Sequence, residues 1–295
     1  MTGRDEPPTM TSKLRTALPT PAVRTAAAIL LVIAVLTAFG GLLAPYDPLA
    51  QDPGAIMTGP GADHFFGTDE LGRDIFSRLL VGTRATILSA LAMVAIEVVG
   101  GAVPGIASVL LGRRGSFVAL RTVDALLTLP GVIIAIAVAG IFGNGPATTA
   151  LAIGALFAPR LFRVVRAEAL GFAHAQYVEA AELLGASRTW LIRRHIWRKT
   201  LPTLGVTTAL SAGYAVLATS SLGFLGLGVQ PPDPTWGGML ADNVKQLWQD
   251  SWGPLWPGLL IVLTVWSCNA LADTLRRGAG QQEPVPGLLE AADRG

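Results

Sequence analysis

The chain has 295 residues, 51% of them hydrophobic and only 14% charged, with a formal net charge of +2. A soluble domain carries about 25% charged residues, so the composition excludes an ordinary water-soluble protein, and the small net charge gives no support to nucleic-acid binding. Cys268 is the only cysteine, which excludes an internal disulfide, and His64, His174 and His195 have no spacing suited to a metal ion.

A helix needs about 20 mostly apolar residues to cross the hydrocarbon core. Helices are the expected form there, because backbone groups in lipid must pair within the segment. Residues 1–24 are rich in Thr and Pro and read as a disordered tail. Thr25 to Leu43 is an uncharged run, and residues 25–44 form the first anchor. A cleaved signal peptide is the alternative, since the run follows a basic segment and contains Ala38-Phe39-Gly40. Its apolar core is longer than the roughly 7–15 residues of a signal sequence, which favours a retained anchor.

Residues 45–83 read as a loop on the far side. Asp69 and Glu70 stand where a helix is expected to start, matching the positive helix end. Leu71, Ile75 and Leu79 then recur every four residues, as in an amphipathic helix at the interface. Arg73 and Asp74 have two readings, pairing with each other or with a companion chain. Residues 84–275 form a core of five further apolar runs. Ala85 to Leu111 is broken only by Glu97. An ionisable residue in a span is a functional candidate by default, and Glu97 has three readings: facing a pore, pairing with a companion subunit, or held protonated. Ala125 to Phe142 is the third run, with an earlier start near Val118 as the alternative; Asp124, one turn from Arg121, suits a local ion pair or a helix-end role. Pro146 to Phe162 is the fourth; Glu168 follows it beside Arg166 and reads as solvated. Pro104, Gly105, Pro130 and Gly131 inside these runs are ordinary in membrane helices.

A charged segment at residues 167–200 separates the fourth and fifth runs. Gln176 to Pro202 reads Q-Y-V-E-A-A-E-L-L-G-A-S-R-T-W-L-I-R-R-H-I-W-R-K-T-L-P. Tyr177 to Leu184 has the pattern of a short helix. Gly185 can take positive φ and end it, and Ser187 is placed to cap a second helix from Arg188. Leu191, Ile192, His195 and Ile196 then share one face, with Arg194, Arg198 and Lys199 elsewhere. Two readings follow. One is a basic amphipathic helix lying on anionic lipid. The other is a helix–turn–helix knob inserted into a cytoplasmic partner, where Ala180 and Ala181 permit close approach and the Glu179 carboxylate accepts a charge-assisted hydrogen bond.

Pro202 to Gly228 is the fifth run, without charge. In Val229 to Trp252, Pro231, Pro232 and Pro234 forbid a continuous helix, and Trp236, Trp248 and Trp252 suit a membrane interface. This segment is either an aromatic belt or a rigid rim of a transport path. Pro254 to Ala272 is the sixth run, and residues 276–295 form a second tail. Arg73, Arg78, Arg84 and Lys245 fall on one side of the six runs; every other Lys and Arg falls on the side of the termini. Cytoplasmic loops carry the excess of Lys and Arg. The fold class expected is therefore an all-α membrane protein of six transmembrane helices with both termini cytoplasmic.

Three stretches carry a family resemblance. Glu179-Ala180-Ala181 followed by Gly185 resembles the E-A-A loop of ABC-importer permeases. His64 to Asp74, H-F-F-G-T-D-E-L-G-R-D, is similar to the G-T-D-x-x-G-R-D signature of peptide and nickel importer permeases; its residues here are Gly67, Thr68, Asp69, Gly72, Arg73 and Asp74. Phe224 to Asn243, F-L-G-L-G-V-Q-P-P-D-P-T-W-G-G-M-L-A-D-N, resembles another signature of that group, with Gln230, Pro231, Pro232, Pro234, Trp236 and Gly237. The resemblance covers His64 to Arg277 and points to the second, C-type, permease of a dipeptide, oligopeptide or nickel system. It implies the type I ABC importer fold. It makes Glu179, Ala180, Ala181, Gly185, Ser187 and His195 a loop that couples to an ATPase. One departure is Trp197-Arg198-Lys199 after His195-Ile196, where the family continues Leu-Pro-Asn.

The resemblance implies a second, homologous permease, two cytoplasmic ATPases, an extracytoplasmic solute-binding protein and surrounding lipid as partners. ATP and Mg would be held by the ATPases; this chain has no G-x-x-x-x-G-K-[ST] loop and is expected to bind no cofactor and to perform no catalysis. Short peptides are the leading cargo and nickel or a chelated metal the alternative. An ion-coupled secondary transporter is a rival, with Glu97 its one central charge. An intramembrane hydrolase is a weaker one, because no histidine lies in a span to activate a serine.

Overall fold

The computed structural model describes residues 21–111, 113–128, 130–173, 175–248 and 252–278. The tails read at 1–24 and 276–295 lie outside them, apart from helical residues 21–24 and 276–278. The described residues form helices α1 (Pro21–Leu43), α2 (Ile75–Leu110), α3 (Arg113–Leu127), α4 (Gly131–Phe142), α5 (Pro146–Ala173), α6 (Gln176–Leu183), α7 (Thr189–Phe224), α8 (Trp236–Lys245) and α9 (Leu255–Gly278). Five of these, α1, α2, α5, α7 and α9, are long and apolar enough to cross a membrane.

The third apolar run is not one helix. α3 ends at Leu127 and α4 starts at Gly131, so neither reaches the length of a full crossing. Pro130 is the cause. It sits at the N-cap of α4 with extended backbone, ψ 123°, and proline disfavours helical geometry in the residue before it. α3 and α4 both pack against α5. Asp124 of α3 pairs with Arg163 in the second half of α5, and Asn144, between α4 and α5, donates to the Gly226 carbonyl and accepts from the Gly228 amide.

α2 is central, packed against α1, α5 and α7, while α9 closes the bundle against α1 and α7. It begins at Ile75, ten residues before the apolar run. Asp74 caps it by accepting from the Ser77 amide, so the cap is Asp74 and not Asp69 or Glu70. Just past Glu97, α2 loosens into one wider turn, Val98–Ala102. There Pro104 removes the amide that would have bonded the Gly100 carbonyl. α2 and α5 touch through small residues: a Cβ on Gly101 would lie 2.5 Å from the Ala158 carbonyl oxygen, and one on Gly154 would lie 2.7 Å from Ile96 Cβ. Such stripes let membrane helices approach closely without a hydrophobic drive from water.

Two apolar cores result. Ile75, Met93, Ile153, Ala215 and Trp236 belong to the larger. Ala102, Ile106, Leu161, Val165, Ile192 and Ile196 form the smaller one at the Arg-rich end. On the outside, Leu31, Val32 and Phe39 of α1 and Ile133, Ile141 and Phe142 of α4 are exposed. Apolar area of that extent suits lipid or a second chain, not water.

Candidate functional site

At the Arg-rich end, α6, Gly185 and the start of α7 form a hairpin. Gly185 has φ +89°, and the Ala186 amide donates to the Ala181 carbonyl at 3.0 Å, a Schellman closure of α6. Ser187 caps the next helix: its hydroxyl accepts from the Trp190 amide at 3.3 Å. Leu191, Ile192 and Ile196 are buried, and Ile192 and Ile196 root the hairpin in the smaller core. His195 is half-buried between the rings of Trp190 and Tyr177, at centroid distances of 5.2 and 6.5 Å. Lys199 Nζ lies 4.6 Å from the Tyr177 ring centroid, a cation–π contact that ties the two helices. Arg194, Arg198 and Lys199 are exposed. Glu179 and Ala180 lie in α6, but their side chains fall outside the described residues; Ala181 is half-buried.

Sequence reasoning passed over the hairpin tip. Leu183 and Leu184 are 90% and 89% exposed, side by side before Gly185. Their apolarity had been absorbed into the helical pattern of α6, and their exposure follows only from the direction of the turn.

At the opposite end, Gly67 to Asp74 ties itself into a knot. Asp69 Oδ1 accepts from the Leu71 and Arg73 amides at 3.0 Å each. Its Oδ2 lies 2.7 Å from Arg73 Nε and 3.5 Å from Arg78 Nε. Asp74 pairs with His64 Nδ1 at 2.9 Å, so Arg73 and Asp74 do not pair with each other. The Thr68 hydroxyl donates to the Ala55 carbonyl and accepts from the Thr58 amide. Gly72 has φ +73°, and a Cβ there would collide with the Asp52 carbonyl oxygen. Leu71 is exposed and outside α2. These charges are internally satisfied, and their work is to hold the outer loop in one shape.

The proline-rich segment does two things. Gln230, Pro231 and Pro232 are exposed, whereas Pro234, Trp236 and Gly237 are buried. Trp236, 0% exposed, is a core residue and not part of an interfacial belt; its amide donates to the Thr86 hydroxyl at 3.1 Å. Trp248, 99% exposed, and Trp252 remain at the surface. Thr235 caps α8 through the Gly238 amide, so this segment contains a helix that prolines alone did not foretell. The two outer signatures meet: Glu70, Arg73 and Arg78 face Gln230, Pro232 and Asp242 across a recess of about 550 Å³.

Three carboxylates singled out in the sequence sit in or beside the spans. Glu97 is 2% exposed and accepts from the Ser211 hydroxyl at 2.8 Å. Asp124 pairs with Arg163, not Arg121, whose guanidinium lies over Phe117. Glu168 is not free in solvent: it accepts from the Thr203 hydroxyl at 2.6 Å, and its second oxygen is buried. Arg166, named in the sequence only as a neighbour of Glu168, is buried and donates to the Ser108 and Ser116 hydroxyls, joining α5 to α2 and α3.

Residues 97–279 match the family described as binding-protein-dependent transport system inner membrane component. The chain is 38% identical to a probable D,D-dipeptide transport system permease protein of Escherichia coli, with 87% of this chain and 86% of that protein covered. It is 36% identical to a di/tripeptide transport system permease protein of Pseudomonas aeruginosa, over 84% of each. It is 32% identical to a nickel transport system permease protein of Escherichia coli, over 86% of this chain and 92% of that one. The matched region holds the hairpin, Glu97 and the proline-rich segment.

Proposed function

We propose, because the chain belongs to the family of binding-protein-dependent transport system inner membrane components, that it is one of two permease subunits forming the translocation path of an ATP-driven importer. Five long helices and the α3–α4 pair make six crossings, with both termini and the α6–α7 hairpin in the cytoplasm. A second, homologous permease completes the path. Two cytoplasmic ATPases bind and hydrolyse ATP with Mg, and an extracytoplasmic solute-binding protein delivers cargo to the recess under the proline-rich segment. This chain itself holds no nucleotide in this reading. The cargo is a short peptide, as the names of the peptide-system relatives suggest; the nickel-system relative keeps a metal chelate as the second reading.

One observation carries the proposal: two leucines stand almost fully in the open at the tip of a hairpin whose Val178, Leu191, Ile192 and Ile196 are buried and whose Trp190 is only half exposed. Fully burying a leucine contributes about 1.5–3 kcal/mol, so an exposed pair at a rigid tip fits a cleft on another protein. A helix merely resting on lipid needs no such tip. The hairpin is rooted against α2 and α5 through Ile192 and Ile196, so a pull on the tip is transmitted to the bundle. ATP-driven closure of the partner then opens the path to each side in turn.

The test is a cysteine crosslink from Ala181→Cys with Cys268→Ser as background. Capture of a nucleotide-hydrolysing subunit in whole membranes is the expected result. Labelling of Ala181→Cys from outside the cell, or no such capture, overturns the reading.

A further inference from the structure

Four helices converge on a largely apolar cavity, with a few polar groups in its wall, that the coupling hairpin does not explain. Glu97 of α2, Phe157 and Arg160 of α5, Ser211 and Tyr214 of α7 and Asn269 of α9 line a space of about 150 Å³. That is room for about five waters. Glu97 uses one carboxylate oxygen on Ser211. The other is buried with no hydrogen-bond partner among the described residues. A buried unpaired oxygen is costly; Glu168 shows one as well, but Glu97 lines this cavity with an opposite charge in its wall. Arg160 supplies the opposite charge from the cavity wall and is exposed, as are Tyr214 and Asn269. The Phe157 and Tyr214 rings stand 6.1 Å apart between centroids and offer π faces that attract cations.

The donor set selects the ligand. A transition metal wants several imidazole, thiolate or carboxylate ligands, and among the described residues no three such side chains come together. A primary ammonium has three N–H donors and fits a lone carboxylate oxygen flanked by aromatic rings. A guanidinium beside it matches a carboxylate. We infer that this cavity is a station on the transport path for a zwitterionic solute, with Glu97 taking its ammonium group and Arg160 its carboxylate. The inference rests on the importer reading and narrows its cargo to peptides with free ends.

The experiment uses the assembled importer, purified through this chain and reconstituted in proteoliposomes with its binding protein. The probes are alanyl-alanine, its N-acetyl derivative and its C-terminal amide. ATP-dependent uptake of alanyl-alanine by the wild type tests the importer reading by itself; its absence removes the peptide reading and this inference together. Given that uptake, Glu97→Gln is expected to slow alanyl-alanine about tenfold while sparing the N-acetyl derivative, and Glu97→Asp to restore part of the loss. Arg160→Gln should slow alanyl-alanine and spare the amide. Selection by the binding protein is common to all variants, so the change in the ratio reports on the cavity. Equal losses for free and blocked peptides, or unchanged ratios, overturn the inference and leave the importer reading standing.

Discussion

At Gly185 the backbone turns with φ +89° and nothing stands within 4 Å of where a Cβ would be. Substitution there is a matter of backbone strain, about 1–2 kcal/mol, and not of collision. Gly185→Val is therefore expected to leave folding and membrane insertion intact while misdirecting the hairpin, and uptake by membrane vesicles should be lost. Normal uptake would remove Gly185 from the coupling element. Gly237 is the opposite case: an added Cβ would lie 2.1 Å from the Ser220 carbonyl oxygen, so Gly237→Val should lower the melting temperature of the detergent-purified protein. Arg166→Met should do the same, because it removes the two hydrogen bonds by which a buried guanidinium joins α5 to Ser108 of α2 and Ser116 of α3, each contributing about 0.5–1.5 kcal/mol. Glu97 was legible as a charge inside an apolar run. Arg166 was not, because its partners lie 58 and 50 positions away and nothing local distinguishes it from its solvated neighbours.

The hairpin shows what pattern can and cannot reveal about an element. Its glycine, its serine cap and its apolar face are local, and all three were readable in order along the chain. The outward pair Leu183 and Leu184 depends on the angle of the turn, which no periodicity encodes. Leu183→Ser with Leu184→Ser is expected to weaken recovery of the ATPase on a tagged permease by at least tenfold, with the amount of inserted permease unchanged; Glu179→Arg should act alike. Undiminished recovery in both would move docking elsewhere. The third apolar run failed as a single helix for a reason also present in the sequence: Pro130 stops it, though hydropathy alone counts straight through. The cap of α2 was misplaced because Asp69, Glu70 and Asp74 all qualify by residue type, and only the salt bridges to Arg73 and Arg78 withdraw Asp69 from that role.

Over the whole molecule, the uneven distribution of Lys and Arg is readable along the chain without any knowledge of packing, and the sidedness proposed from it is an expectation about insertion. Cysteine labelling checks it: with Cys268→Ser as background, Gln230→Cys should react with an impermeant maleimide from outside and Leu184→Cys only after permeabilisation. The packing of the proline-rich segment back onto the bundle was not readable, since Trp236 finds Thr86 across 150 positions. The greasy tip at Leu183 and Leu184 has a cost beyond uptake. On the proposed reading, a subunit made in excess of its ATPase would display to the cytosol the kind of surface that chaperones and proteases seize, and synthesis of the two would have to be matched. Pulse-chase in cells lacking the motor should show rapid turnover of this chain, slowed when both leucines are serine.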